Sequence, residues 1–565
     1  MPDKKPMSVV LLWHMHQPEY RDTRTGAVHL PWTYLHAIKD YVDMAAHLEA
    51  VPEARAVVNF APILLEQIED YVEQITAYLE GHGAIKDQIL AELAEPALPG
   101  NEQSRLRLMQ DCLRANKERM IDRFEPYKRL ATMAEWYEVH PQSLIYASNQ
   151  FLADLLVWYH LSWMGESVQR SDPRIARLQE KAVNFTLHER RELLHIILEQ
   201  MRSLVPRYRA LAKNGQVELC MSPYAHPIVP LLLDLNSAKE AMPEVHLPVT
   251  TEYPGGAARA QWHLDHGLAT FERVFGHKPA GIWPSEGGVS QQALKLFADN
   301  DFRWVASGGS VLRNSHDSHS ESCSHRVYRF GEVPIDCFFR DDGLSDLIGF
   351  SYSDWHAEDA VANLLGHMEN IAELCPDRDD CLISIILDGE NAWEYFPENG
   401  YHFLNHLYQS LADHPLLQLT TFEQFQAENS PQPAQEDQLV AGSWVYGTFS
   451  TWIGDPEKNR AWEILVAAKH TFDQQLATGN LTPQEIADAE RQLAICEGSD
   501  WFWWFGDYNP SATVGQFDQL YRMHLANLYQ MLNVEAPAYL SEVISRGGGK
   551  PSRGGVMRHH HESGE

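Results

Sequence analysis

CLISIILDGEN, residues 381–391, decides how the rest of the chain is read. Seven residues, rich in isoleucine and almost wholly apolar, end abruptly in Asp388 and Gly389. A run that short and that β-branched reads as a buried strand rather than a helix. The acid then stands at the strand's end, and the glycine permits a sharp turn away from it. Working outward, the same grammar recurs. MSVVLLWHMHQP (7–18) is an apolar run ending in His14, His16 and Gln17. VVNFAPILL (57–65) reads as a second strand, with Asn59 and Pro62 ending the run. VELCMSPYAHP (217–227), AGIWPSEGGVS (280–290), FRWVASGG (302–309) and VPIDCFFRDDG (333–343) follow. Helix-patterned stretches such as QQALKLFADN (291–300) separate several of them. This alternation predicts an α/β fold with parallel strands.

From about residue 65 to 207 the pattern changes. Apolar residues recur at helical spacing among Glu, Lys, Arg and Gln, as in LLEQIEDYVEQITAYL and NFTLHERRELLHIILEQM. This predicts a large helical insertion after the second strand. AENSPQPAQEDQ (427–438) is polar with two prolines and predicts a linker. A helical domain over 439–546 and a disordered Gly/Ser-rich tail over 547–565 complete the expected organisation, with residues 1–426 as the catalytic domain. The tail's His559, His560 and His561 offer at most weak metal binding.

The net charge of −33 disfavours nucleic acid and anionic lipid and is compatible with a neutral substrate. The seven cysteines are widely spaced with no CxxC pair, which predicts neither a disulfide framework nor a thiolate zinc site. VVLLW is too short for a signal-peptide core, and no stretch of about eighteen apolar residues occurs. A cytoplasmic protein is the expectation; oligomeric state is left open.

The chemistry sits where strands end, because ligand sites of parallel α/β folds lie beyond the carboxyl ends of the strands. Asp388 near a low-dielectric core suits a general acid, though a helix N-cap would also explain it. Glu286, between an apolar strand with Trp283 and two glycines, supplies a second carboxylate, with a turn or cap acid as the alternative. Two carboxylates at neighbouring strand ends are what retaining glycoside hydrolysis requires. His14 and His16, on one face of a strand, with His226 and Asp388, raise a rival metal site as in a deacetylase or mannosidase. Glu394 and Glu398 read as solvated or loop-bracing acids. GSDWFWWFGDYNPS (498–511) and SWVYGTFSTWIGDPEKNRAW (443–462) add flat aromatic faces suited to sugar rings. Strand-like alternation along WFWWF would put Trp501 and Trp503 on one face.

WHMHQP (13–18), GQVELCMSPYAHPIVP (215–230), GIWPSEGGVS (281–290), IILDGENAWE (385–394) and STWIGDPEKNRAWE (450–463) together, in this order, resemble glycoside hydrolase family 57, which acts on α-glucans. The resemblance implies an incomplete (β/α)7 barrel with a helical domain packed over the site, and a retaining mechanism with no metal or cofactor in the chemistry. It places the nucleophile at Glu286 and the acid/base at Asp388. It implies sugar-binding positions at His14, His16, Gln17, Trp32, His226, Trp283, Trp393, Trp452 and Trp503. The motifs look most like the amylopullulanase and α-amylase branch. A 4-α-glucanotransferase using the same double displacement is the runner-up. Asp455 departs from the glutamate the family pattern leads one to expect.

Overall fold

The computed structural model describes residues 5–250, 252–316, 323–375 and 377–549. Seven parallel strands form the barrel: β1 (Met7–Met15), β2 (Ala56–Phe60), β3 (Val217–Met221), β4 (Gly281–Ile282), β5 (Trp304–Gly308), β7 (Asp336–Arg340) and β8 (Leu382–Asp388). Their order is β7-β5-β4-β3-β2-β1-β8, each neighbouring pair parallel. Three short strands extend the sheet: β6 (Tyr328–Phe330), β9 (Leu417–Leu419) and β10 (Ala434–Glu436). β6 runs antiparallel to β7, an exception to the all-parallel expectation.

No ladder joins β7 to β8, so the barrel is incomplete. The seam is closed piecemeal. Asp341 N–H donates to the Ser384 carbonyl at 2.8 Å, Arg340 Nε to the Ile386 carbonyl at 2.8 Å, and Leu382 N–H to the His325 carbonyl at 2.7 Å.

The period of two along each strand sorts its side chains. Val9, Leu11, Trp13 and Ile383, Ile385, Leu387 face the surrounding helices and join the main core. Val10, Leu12, Val57, Cys220, Trp304, Phe338, Leu382 and Ile386 fill the barrel interior with Phe422 and Phe425. At the strands' N-terminal ends, Trp304 Nε1 donates to Glu218 Oε1 at 2.7 Å within this packed layer. The interior is therefore closed below by packing around the buried Glu218, and the polar groups of the cleft collect at the carboxyl ends.

The helical insertion starts earlier than its pattern indicates. Pro62 occupies the first turn of a helix over Pro62–Leu79, where its missing N–H is no loss, so β2 ends at Phe60. The insertion closes with the helix Leu187–Lys213, opened by a Thr186/Glu189 capping box. Within 427–438, Ala434–Glu436 pairs with β6, so this stretch adds an edge strand to the sheet. Helices Pro456–Thr478, Pro483–Cys496, Ser499–Trp504 and Ser511–Met531 follow. WFWW, residues 501–504, lies in the third of these, which overturns the strand-like alternation: Trp501 packs in the core on Tyr521, while Trp503 and Trp504 line the cleft described below. Glu497, just beyond the second, fastens this region to the barrel. Its carboxylate accepts from Arg259 Nε at 2.8 Å and Tyr253 Oη at 2.6 Å, and lies 2.8 Å from His263 Nε2.

Gly548 and Gly549 both donate backbone N–H groups to the Asn509 carbonyl. The remainder of the expected disordered tail, with its three histidines, lies outside the described residues. All seven cysteines are free thiols. Among the described residues no helix is long and apolar enough to cross a membrane.

Candidate active site

A cleft of about 490 Å³ opens at the carboxyl end of the barrel. It is lined from β1 by His14, His16 and Gln17, from beyond β4 by Glu286, from β7 by Arg340, and from β8 by Asp388, Glu390 and Asn391. Trp32 and Trp163 wall one side; Trp444, Asp500, Trp503 and Trp504 wall another.

Asp388 is the last residue of β8, inward by the alternation Leu382–Ser384–Ile386–Asp388. No helix begins after it, so it is not an N-cap. Burial pushes its carboxyl up to about 6, against the Asn391 amide, which donates to Oδ2 at 2.7 Å, and the nearby His16 and Arg340. Glu286 sits in the left-handed region at φ 58°, followed by Gly287 at φ 60°. A side chain at Gly287 would run into Trp283 at 2.9 Å, so the turn that presents Glu286 requires glycine. His226 and Tyr446 share this unusual backbone at φ 59° and 58°. Strain of this kind is stored where the surroundings over-determine it, commonly at functional sites. Burial, and then the charge of Asp388, push the Glu286 carboxyl up to about 8; the Trp444 Nε1–H, 2.9 Å from Oε2, pulls the other way.

These two carboxyls therefore titrate as a pair that holds one proton near neutral pH. With the higher value at Glu286 the proton favours that residue, whereas donation by Asp388 and attack by Glu286 require it on Asp388.

The histidines form a stack: ring centroids of His14 and His226 are 5.1 Å apart, and of His16 and His226 3.9 Å. His14 Nδ1 lies 2.6 Å from Asn59 Oδ1, and burial together with the charge of His16 lowers its pKa to about 3. Burial holds His226 well below the usual imidazole range, with His16 and His14 adding to the effect. His226 Nδ1 stands 2.9 Å from Ser499 Oγ and 3.9 Å from Glu286 Oε1. Neutral imidazoles of this kind can donate to or accept from a sugar hydroxyl.

Glu390 is buried, and its Oε1 accepts three donors: Gln17 Nε2 and Tyr41 Oη, each at 3.1 Å, and the His16 N–H at 3.3 Å. Burial and the charges of Asp388 and Asp40 hold its pKa well above the ordinary carboxylate value, and its hydrogen bonds brace the HMHQ turn. Glu394 lines the cleft, also raised by burial, whereas Glu398 pairs outside it with Arg170 and His402.

His14, His16, Gln17, Trp32, Glu286, Asp388 and Trp503 thus line the cleft where the sequence places them. His226 and three tryptophans do not: the His226 ring is wholly buried, stacked on His16. Trp283 is fully buried behind Trp444 (5.2 Å between centroids), Trp452 behind Trp503 (5.8 Å), and Trp393 packs on Trp13 with Nε1 donating to the Gly389 carbonyl. Their large faces are consumed by packing, so they support the wall rather than form it. Asp455 caps the helix Pro456–Thr478 by accepting the Glu457 N–H at 2.8 Å, a task for which a short carboxylate is well suited. The rival metal set of His14, His16, His226 and Asp388 does not assemble; the grouping present is His16, His226 and Asp500.

Sequence reasoning missed three participants. Arg340 carried a signal, as a cation at a strand's end. Trp444 lay inside a quoted aromatic stretch but nothing local linked it to Glu286. Asp500, 2.9 Å from His16 Nε2 across 484 residues of chain, carried no signal at all.

Comparison with known proteins agrees with this architecture. No curated protein sequence matches the chain. The fold is similar to that of a family 57 branching enzyme from Thermococcus kodakaraensis (TM-score 0.59, 15% identity, 95% of this chain and 94% of that one). It is similar, too, to a branching enzyme from Pyrococcus horikoshii (0.57, 15%, 96% and 98%) and to an α-amylase from Thermotoga maritima (0.54, 12%, 96% and 97%). The model of glycosyl hydrolase family 57 matches residues 10–435, from β1 through β10, and the chain belongs to that family.

Proposed function

We propose that this protein is a retaining α-glucan hydrolase with Glu286 as nucleophile and Asp388 as acid/base. The observation that carries the reading is the pair itself: Glu286 and Asp388 reach one cleft from beyond two different strands, and burial raises both carboxyls. Glu286 attacks the anomeric carbon as Asp388 protonates the departing glycosidic oxygen, giving a covalent glycosyl-enzyme; Asp388 then takes a proton from water, whose oxygen displaces Glu286. Positive charge growing at the anomeric carbon favours the ionised form of Glu286, and the leaving oxygen favours the proton on Asp388. His14, His16, Gln17, Trp32 and Trp503 bind the sugar, with His226 backing His16 and Trp444 orienting Glu286. The substrate class rests on the family and on the glucan enzymes that share the fold.

The test is incubation with maltoheptaose and with pullulan, each with and without EDTA, and separation of the products. Chelator-insensitive shortening of maltoheptaose is expected, and maltotriose from pullulan would add α-1,6 cleavage. Products longer than the maltoheptaose would make the protein a transglycosylase. Glu286→Gln and Asp388→Asn should each lose about 10³-fold or more in turnover. A folded Glu286→Gln variant with near-full activity overturns the assignment.

A further inference from the structure

We propose that the cleft continues into a second chamber, which binds sugar units of the glucan remote from the point of cleavage and so favours long chains over short ones. The inference rests on the α-glucan reading of the cleft. A cavity of about 500 Å³ lies beside the cleft, and Arg114 and Gln516 line both spaces.

Three separate stretches of chain pass from one space into the other. Trp32 walls the cleft, and residues 28–31, just before it, wall the chamber. Arg114 and Asn116 line the cleft; Arg107 and Asp111, on the preceding helix Glu102–Asp111, line the chamber. Thr513 and Gln516 line the cleft from the helix Ser511–Met531; further along it, Gln519, Leu520 and Met523 line the chamber. Positions 513, 516, 520 and 523 follow the spacing of three and four that puts side chains on one stripe of a helix. From Thr513 to Met523 that helix advances about 15 Å, so the track is longer than one sugar ring.

The chemistry of the chamber suits a neutral polyol. Its charges cancel, Arg107 and Arg114 against Asp87 and Asp111. Asp111 takes both guanidinium groups, at 3.7 Å from Arg107 Nε and 3.2 Å from Arg114 Nη2. Asp87 accepts the Leu90 N–H at 3.1 Å and Tyr71 Oη at 2.7 Å. The side-chain amides of Gln516 and Gln519, by contrast, have no hydrogen-bond partner among the described residues. Each offers two donors and an acceptor to hydroxyl groups. Leu30, Ile89 and Leu520 supply buried apolar surface for the C–H face of a sugar ring. An anion or a cation would upset the charge balance, whereas a sugar leaves it intact.

The experiment measures binding of maltotriose and of maltoheptaose by calorimetry. It uses full-length Glu286→Gln protein, in which the sugars persist, with and without the added pair Arg107→Ala and Gln519→Ala. Both of these side chains are exposed and neither lines the cleft. Maltoheptaose should bind at least about tenfold tighter than maltotriose. The added pair should weaken maltoheptaose about tenfold, the loss of two net hydrogen bonds, while shifting maltotriose less than about twofold. With Glu286 intact, the same pair should raise KM for maltoheptaose by a like factor. Maltoheptaose bound as tightly by the folded double variant, or both sugars weakened alike, overturns the proposal. Binding of maltoheptaose without its cleavage by the parent protein would sink the hydrolase reading alone, and calorimetry would still decide the chamber. Binding of neither sugar overturns both.

Discussion

Replacing Trp444 by phenylalanine removes a single N–H from the cleft while keeping a ring against Trp283. That N–H, 2.9 Å from Glu286 Oε2, is among the described residues the one neutral donor bonded to the carboxylate. A hydrogen bond to a charged group contributes about 1.5–3 kcal/mol, which corresponds to roughly ten- to one-hundred-fold in rate if it is lost only from the ionised form. The sign follows from the charge: the bond favours ionised Glu286, so its removal raises that carboxyl above its present value of about 8. The shared proton then sits more firmly on Glu286, and the productive arrangement, with the proton on Asp388, becomes scarcer. Initial rates on maltoheptaose across pH 4–10 should show kcat/KM falling by about that factor, with the alkaline limb, which follows Glu286, moved to higher pH by up to about one to two units and the acid limb, which follows Asp388, left in place. An activated glucosyl fluoride, which needs no proton on its leaving group, should not rescue the variant, because the nucleophile is what was weakened. It should partly rescue Asp388→Asn. A folded Trp444→Phe enzyme with an unmoved pH profile and kcat/KM within twofold of the parent would refute this account.

Glu390 should tolerate glutamine better than alanine. Glu390→Gln keeps an acceptor for the His16 N–H, Gln17 and Tyr41 and should retain activity within about tenfold; Glu390→Ala leaves buried donors unpaired and should lose at least 1–3 kcal/mol of stability, read from denaturant melts. Glu497 should set an acid limit to stability. Burial opposes its charge, but Arg259 and His263 overcome this and hold the carboxyl down at about 2, below its ordinary 4.5. A depressed folded pKa contributes stability that is present above about pH 4.5 and lost as the pH falls toward 2, of order 3 kcal/mol. Thermal melts of Glu497→Gln should therefore show lower stability at pH 7 and a flatter acid limb; parallel acid limbs would contradict this. Cys323 should be the first thiol to alkylate. Alone of the seven it is partly exposed, and the His325 ring 3.8 Å away, itself 2.8 Å from Asp341, lowers its pKa. Peptide mapping after brief iodoacetamide treatment should find it modified well before the buried six, and His325→Gln should slow it.

The strands were legible because burial on both faces leaves little but apolar residues, and because each run stops in a polar group. That stop located Asp388, Glu286 and the HMHQ histidines before any coordinates. Pro62 was read as the end of a strand run, which hid its second role as the first residue of a helix. The tryptophans misled for another reason. A tryptophan beside a catalytic carboxylate looks the same in sequence whether it touches the ligand or props up the residue that does, as Trp283 props Trp444. β6, β9 and β10 were invisible because three-residue strands carry no periodicity to read. Asp500 was invisible because its meaning arises only when the last third of the chain folds back over β1.

That return of the chain has a consequence for how activity is acquired. The cleft is closed by contacts between the first strand and a helix nearly five hundred positions later, so its completion is among the highest-order contacts in the molecule. A ribosome can release a barrel that has already buried its isoleucines while Ser499 and Asp500 are still in the exit tunnel. During refolding, tryptophan fluorescence should recover ahead of turnover, and the interval between the two curves measures how long the late helices take to arrive.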